Sequence, residues 1–127
     1  HRNLNIKKFI MYEGGENMNE DKVFEVSKEQ LKKRENIKKA MIEQMKDNGT
    51  YKEPYSDMVD RYISMWEICI MLEADISLRG VKTVTDKGIK KNDSVAMLTN
   101  MNKQMLICLD KLGLSTANIK GDLGGDI

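Results

Sequence analysis

Apolar residues recur at helical spacing in three stretches of the chain and flank a glycine-containing turn in a fourth. The first stretch opens at Ser27, which has capping-box spacing with Gln30. It then runs through a lysine-rich segment carrying Leu31, Ile37, Met41, Ile42 and Met45 to Asp47-Asn48-Gly49. A hydroxyl ahead of the first turn takes up amide donors that have no partner within the helix, and a glycine past the last turn closes it, so a helix is predicted over residues 28 to 47. Pro54 fits the first position of a second helix, where its missing amide proton would go unused. Tyr55, Val59, Tyr62, Trp66, Ile70, Glu73 and Ile76 then keep a four-three spacing until Arg79-Gly80. Met58, Ile63, Met65, Ile68, Met71 and Leu72 fall outside that seam, so this helix is apolar on most sides and must be covered on most sides.

Between Val81 and Asn92, β-branched residues stand on either side of Asp86-Lys87-Gly88, a short loop of the kind that closes a hairpin. Asn92 can cap a third helix, with Asp93 in its positive first turn. Val95, Leu98, Met105, Leu109 and Leu112 form one face of that helix, Met97, Met101, Met105 and Cys108 form a second row, and Gly113 stops it. The pattern predicts a mainly α, three-helix domain with a small β-hairpin between the second and third helices. Two such wide apolar helices offer more surface than they can hide in each other, which points to self-association; cover by the first helix and the hairpin within one chain is the alternative.

A length of 127 residues suits one small domain. The division expected is a disordered leader over 1–26, a helical core over 27–114 and a flexible tail over 115–127. The chain opens with His1, and Glu13-Gly14-Gly15-Glu16-Asn17 back-translates into a purine-rich ribosome-binding sequence upstream of Met18, so Met18 is the expected natural start. Cys69 and Cys108 lie in apolar runs and read as buried thiols of a reducing compartment. No apolar stretch reaches the ~18 to 20 residues of a bilayer span, and no secretory signal is evident, so the expected location is intracellular.

Several chemistries are missing. His1 is the sole histidine, which removes Ser/His/Asp and Cys/His nucleophile systems and histidine-containing metal sites. No G-x-x-x-x-G-K-[ST] phosphate loop occurs. Asp57 with Asp60, Glu73 with Asp75, and Asp122 with Asp126 lack a supporting ligand pattern and read as helix-solvating or capping acids. No catalytic residue, metal or cofactor is therefore expected.

Net charge is +1, so a basic surface has to come from local clustering. From Lys28 to Lys46 there are seven bases and three acids; Lys32, Lys33, Arg34, Lys38 and Lys39 are candidate DNA contacts, against the alternative of a solvated face with Glu29–Lys33 and Glu35–Lys39 pairs. In the hairpin, Lys82, Lys87, Lys90 and Lys91 face only Asp86, on an element able to track phosphates, although lysines on strand edges also deter aggregation. No aligned Arg, Asn and Gln constellation for reading bases is apparent.

From Tyr55 to Gly113 the chain resembles the small subunits of DNA-packaging terminases of tailed phages and prophages of Gram-positive hosts. The resemblance rests on the order and spacing of Tyr55-Ser56-Asp57-Met58-Val59-Asp60-Arg61-Tyr62, Trp66, Arg79-Gly80, Lys91-Asn92-Asp93-Ser94 and Leu109-Asp110-Lys111-Leu112-Gly113-Leu114. Asp93 after Asn92, and Ser115-Thr116 after Leu114, depart from the proline frequent there in the family. The resemblance implies a homo-oligomeric ring in the host cytoplasm that binds viral double-stranded DNA and recruits and regulates a large subunit holding the ATPase and nuclease. It makes Tyr62, Met65, Trp66, Met97, Met101 and Met105 core or subunit contacts. A transcription regulator would need a polar recognition helix, which the apolar second helix does not provide. A scaffold that binds no DNA would be expected to show a sustained heptad repeat.

Overall fold

The computed structural model describes residues 8–11 and 22–116. Met18 and residues 117–127 of the expected tail lie outside the described residues. Within the expected leader, β1 (Lys8–Met11) and β2 (Lys22–Glu25) pair antiparallel, with Phe9 opposite Phe24 and Ile10 opposite Val23. Aromatic and β-branched residues suit a pleated strand, and here they override the absence of a longer periodic pattern.

The three expected helices follow. In α1 (Lys28–Asn48), Ser27 Oγ accepts from the Gln30 amide at 3.0 Å and Gln30 Oε1 accepts from the Ser27 amide at 2.9 Å, so the expected capping box forms. Gly49, at φ 75°, ends the helix in the left-handed conformation open to a residue without a side chain. α2 (Tyr55–Arg79) starts one residue later than expected, with Pro54 immediately ahead of it. A hairpin of β3 (Lys82–Thr85) and β4 (Gly88–Lys91) then leads to α3 (Asp93–Lys111), whose first turn is capped by Asn92 accepting from the Ser94 amide at 2.9 Å.

Helix α2 lies against α3 over its broadest contact and against α1 over a smaller one. Met41 and Met45 of α1, Val59 of α2, and Cys108 and Leu112 of α3 make the main core, with Tyr62, Met65 and Leu109 packed against it. The core thus sits where the end of α1, the start of α2 and the end of α3 meet. The hairpin leaves the opposite end of α2, some 20 residues or ~30 Å of helix away.

Two features differ from the sequence reading. The deepest positions on α2 are Val59, Ile63, Glu67, Cys69 and Leu72, while Tyr62, Trp66 and Ile70 of the expected seam are half-buried. Covering α2 from two sides, as its wide apolar surface requires, buries two strips; Val59 of the expected seam is among the deepest positions, and Tyr62, Trp66 and Ile70 run between the strips. Arg34 is buried as well: its Nη1 lies 2.6 Å from Glu67 Oε2, each side chain only 10% exposed, and its Nε donates to Glu35 at 3.2 Å. Glu35 is thereby turned to Arg34, where sequence spacing had offered Lys39.

Removing one member of a buried ion pair strands the other charge away from water. Arg34→Ala is expected to lower stability by roughly 3 to 5 kcal/mol, whereas Arg34→Met combined with Glu67→Leu recovers most of that loss. Urea unfolding followed by circular dichroism measures both, and a loss below about 1 kcal/mol in the single variant would refute a structural role for the pair.

Candidate nucleic-acid interface

The hairpin owes its shape to its sequence. Asp86 and Lys87 form the two-residue loop, and Gly88, at φ 116°, takes the positive backbone angle that closes it. Thr85 Oγ1 donates to the Gly88 carbonyl at 2.9 Å and accepts from the Lys87 amide at 3.2 Å. Lys82 stands opposite Lys91, Thr83 opposite Lys90, and Val84 opposite Ile89. Since side chains alternate across a strand, Lys82, Val84, Ile89 and Lys91 share one face, and Thr83 and Lys90 the other.

A polar clasp holds the root of this arm. Arg79 forks onto Asp75, with Nε and Nη2 each 2.7 Å from a carboxylate oxygen, and the same Nη2 donates to Asn92 Oδ1 at 3.1 Å. Asn92 is buried; its amide donates to the Val81 carbonyl at 2.9 Å and its Nδ2 to the Gly80 carbonyl at 2.8 Å. Ser94 Oγ donates to Asp75 Oδ2 at 2.6 Å. The end of α2, both ends of the hairpin and the start of α3 are therefore tied through one asparagine. The Arg79 guanidinium holds the Asp75 carboxyl below its ordinary range, aided by Ser94, and outweighs the opposing effect of burial.

The candidate bases fall into three groups. Lys82, Lys87, Lys90 and Lys91 are exposed and make no ion pair among the described residues. Lys32, Lys33 and Lys39 are likewise exposed and without an ion pair on α1, while Lys38 reaches Asp60 at 3.1 Å. Arg34 leaves the candidate set because its guanidinium is buried on Glu67. The α1 and hairpin groups occupy different stretches of the fold: the hairpin root at Arg79 is twelve residues beyond Glu67, roughly 18 Å along α2.

Of the residues expected as core or subunit contacts, Met105 is buried, and Tyr62, Met65, Trp66 and Met101 are half-buried. Met97 is 53% exposed, with Leu106 and Ile107 exposed further along α3. A groove of about 510 Å³ runs between α2 and α3, lined by Met58, Met65, Ile68 and Ile107 with Arg61 and Lys111 at its polar margin. Cys69 and Cys108 are buried free thiols whose pKa values burial pushes up, which disfavours the reactive thiolate. Asp57 pairs with Arg61 and Asp75 with Arg79, and no group of metal-ligating side chains occurs among the described residues. No helix among the described residues is long and apolar enough to cross a membrane.

Sequence reasoning missed the Asp75–Arg79–Asn92–Ser94 clasp. The i,i+4 spacing of Asp75 and Arg79 was a visible signal, but nothing local showed that Asn92 would close onto Gly80. Arg34 had a signal too: it lies three residues after Leu31 and seven before Met41, on the buried strip of α1.

The fold and this arm define a small three-helix protein that displays a clamped, lysine-rich hairpin. The chain belongs to the family described as phage terminase, small subunit, whose sequence model matches residues 23–121. No curated protein and no solved structure matches it significantly.

Because the folded Asp75 pKa lies below its unfolded value, the clasp's contribution to stability is full above the unfolded carboxylate pKa of about 3.9 and is lost as pH falls through the folded pKa. Asp75→Asn should lower stability at neutral pH and flatten the loss between pH ~4 and lower values. Parallel acid titrations of unfolding free energy for the two proteins check this, and equal slopes would exclude the clasp as the source.

Proposed function

We propose that this chain is the DNA-binding, oligomeric small subunit of a phage packaging terminase, acting without catalysis of its own in the host cytoplasm. It holds viral double-stranded DNA and brings it to the large subunit, which it recruits and regulates and which carries the ATPase and nuclease. The observation that carries the DNA half of this reading is the clamped hairpin, where four exposed lysines face one acid. Lysines free of ion pairs among the described residues are available to phosphates, and Lys32, Lys33 and Lys39 on α1, with Lys38 beside Asp60, extend the basic surface.

Assembly makes such weak contacts effective. Met97, Leu106 and Ile107 together with the α2/α3 groove leave apolar surface uncovered in one chain, which favours contact between copies. A ring would repeat the hairpin around its circumference, so that several modest phosphate contacts act as one salt-sensitive site. Residues 115–127 are the proposed region of contact with the large subunit.

Two measurements test these halves separately. Lys90→Glu with Lys91→Glu should weaken duplex binding at least tenfold and reduce the slope of log affinity against log salt by about 0.9 for each phosphate no longer neutralised, as read by fluorescence anisotropy. Unchanged affinity and slope would remove the hairpin from the DNA surface. Native mass spectrometry at micromolar concentration should show a closed assembly larger than a dimer, and a monomer or dimer throughout would defeat the ring.

A further inference from the structure

The hairpin lysines account for phosphate binding, but two of its residues do something lysines cannot. Val84 and Ile89 are cross-strand neighbours, 85% and 72% exposed, more so than any other large hydrophobic residue among those described. They sit one step back from the charged Asp86-Lys87 loop, on the face that also carries Lys82 and Lys91. The opposite face uses Thr83, half-buried, and Thr85, whose hydroxyls bond within the hairpin. The threonines thus bond within the hairpin on their own face, while the outward face holds a bare apolar pair. The arm is stiff at its root and makes little contact with the helices, so this face stands clear of the bundle.

We propose that the Val84–Ile89 pair reads thymine methyl groups in the major groove of double-stranded DNA; this rests on the DNA-binding role proposed above. Two strands ~4.8 Å apart form a ribbon that the ~12 Å major groove admits without distortion. Lys82 and Lys91, two residues along each strand from the apolar pair, stand ~6.7 Å nearer the root, where they meet flanking phosphates. The charge complementarity favours DNA over an apolar protein partner: Lys82 and Lys91 share the pair's face, Lys87 stands in the adjoining loop, and Asp86 is the only acid between Val81 and Lys91. Lys82 and Lys91 on this face are set back toward the root and assigned to phosphates, so the base feature open to the pair itself is the apolar one, the C5-methyl of thymine. A charged loop at the tip also argues against insertion as a wedge between base steps, which calls for an apolar tip.

The test compares a thymine-rich duplex with the same duplex carrying deoxyuridine at every thymine, which removes the methyls and leaves the pairing edges intact. With the full chain, anisotropy should show tighter binding to the thymine duplex by about three- to fourfold for each methyl buried. Val84→Ser with Ile89→Ser should erase that difference while leaving affinity for the deoxyuridine duplex and its salt slope in place. Equal affinity of the unaltered chain for both duplexes overturns the proposal without any variant, as does a difference that persists in the serine variant. A change in the variant's oligomeric mass in the absence of DNA assigns the pair to a protein contact and overturns it too. Binding to neither duplex would instead fail the DNA-binding function itself, and the methyl reading with it.

Discussion

The 25-residue α2 carries apolar side chains around most of its circumference, and a helix of that kind has to be covered on most sides. The cover comes from α1 on one strip and α3 on another, and the order of the chain follows from this arrangement. Each neighbour runs antiparallel to α2, so the end of α1 and the end of α3 converge on the start of α2 and build the core around Met45, Val59 and Leu112. Neither neighbour covers α2 completely. The groove between α2 and α3, and the exposed Met97, Leu106 and Ile107, are what remains of the surplus, and in the proposed ring this surface faces the next copy.

Within that cover charged side chains are paired at two places for different ends, one pair buried and one at the surface. Arg34 on Glu67 fixes where α1 lies on α2, because a displaced register would break the buried pair between the two helices. The clasp of Asp75, Arg79, Asn92 and Ser94 fixes where the hairpin leaves the bundle, since Asn92 meets Gly80, Val81, Arg79 and Ser94 at once. The two ends of α2 are thereby given separate tasks. One end packs, and the other presents a stiff basic arm whose own residues are nearly all in water.

The helices, their caps and the hairpin are legible along the chain because each rests on contacts within a few residues. Ser27 and Gln30 close a capping box, Gly49 and Gly88 take backbone angles that suit glycine, and Asn92 caps the turn that follows it. Phe9 to Met11 and Val23 to Phe24 carry too short a pattern to be read as a pair, although a second strand lies within reach. The four hairpin lysines are exposed as expected, since a short two-stranded arm has little interior to hide them in.

Element order, the kind of residue at each turn and the absence of histidine chemistry are all fixed along the chain, because they depend on composition and near neighbours. Packing in three dimensions alone makes Arg34 a buried partner of Glu67, buries α2 along two strips, and leaves Val84 and Ile89 in solvent while Thr83 turns inward. Each of these depends on what packs across from a residue, often more than thirty positions away, and helical or strand spacing records only which residues share a face.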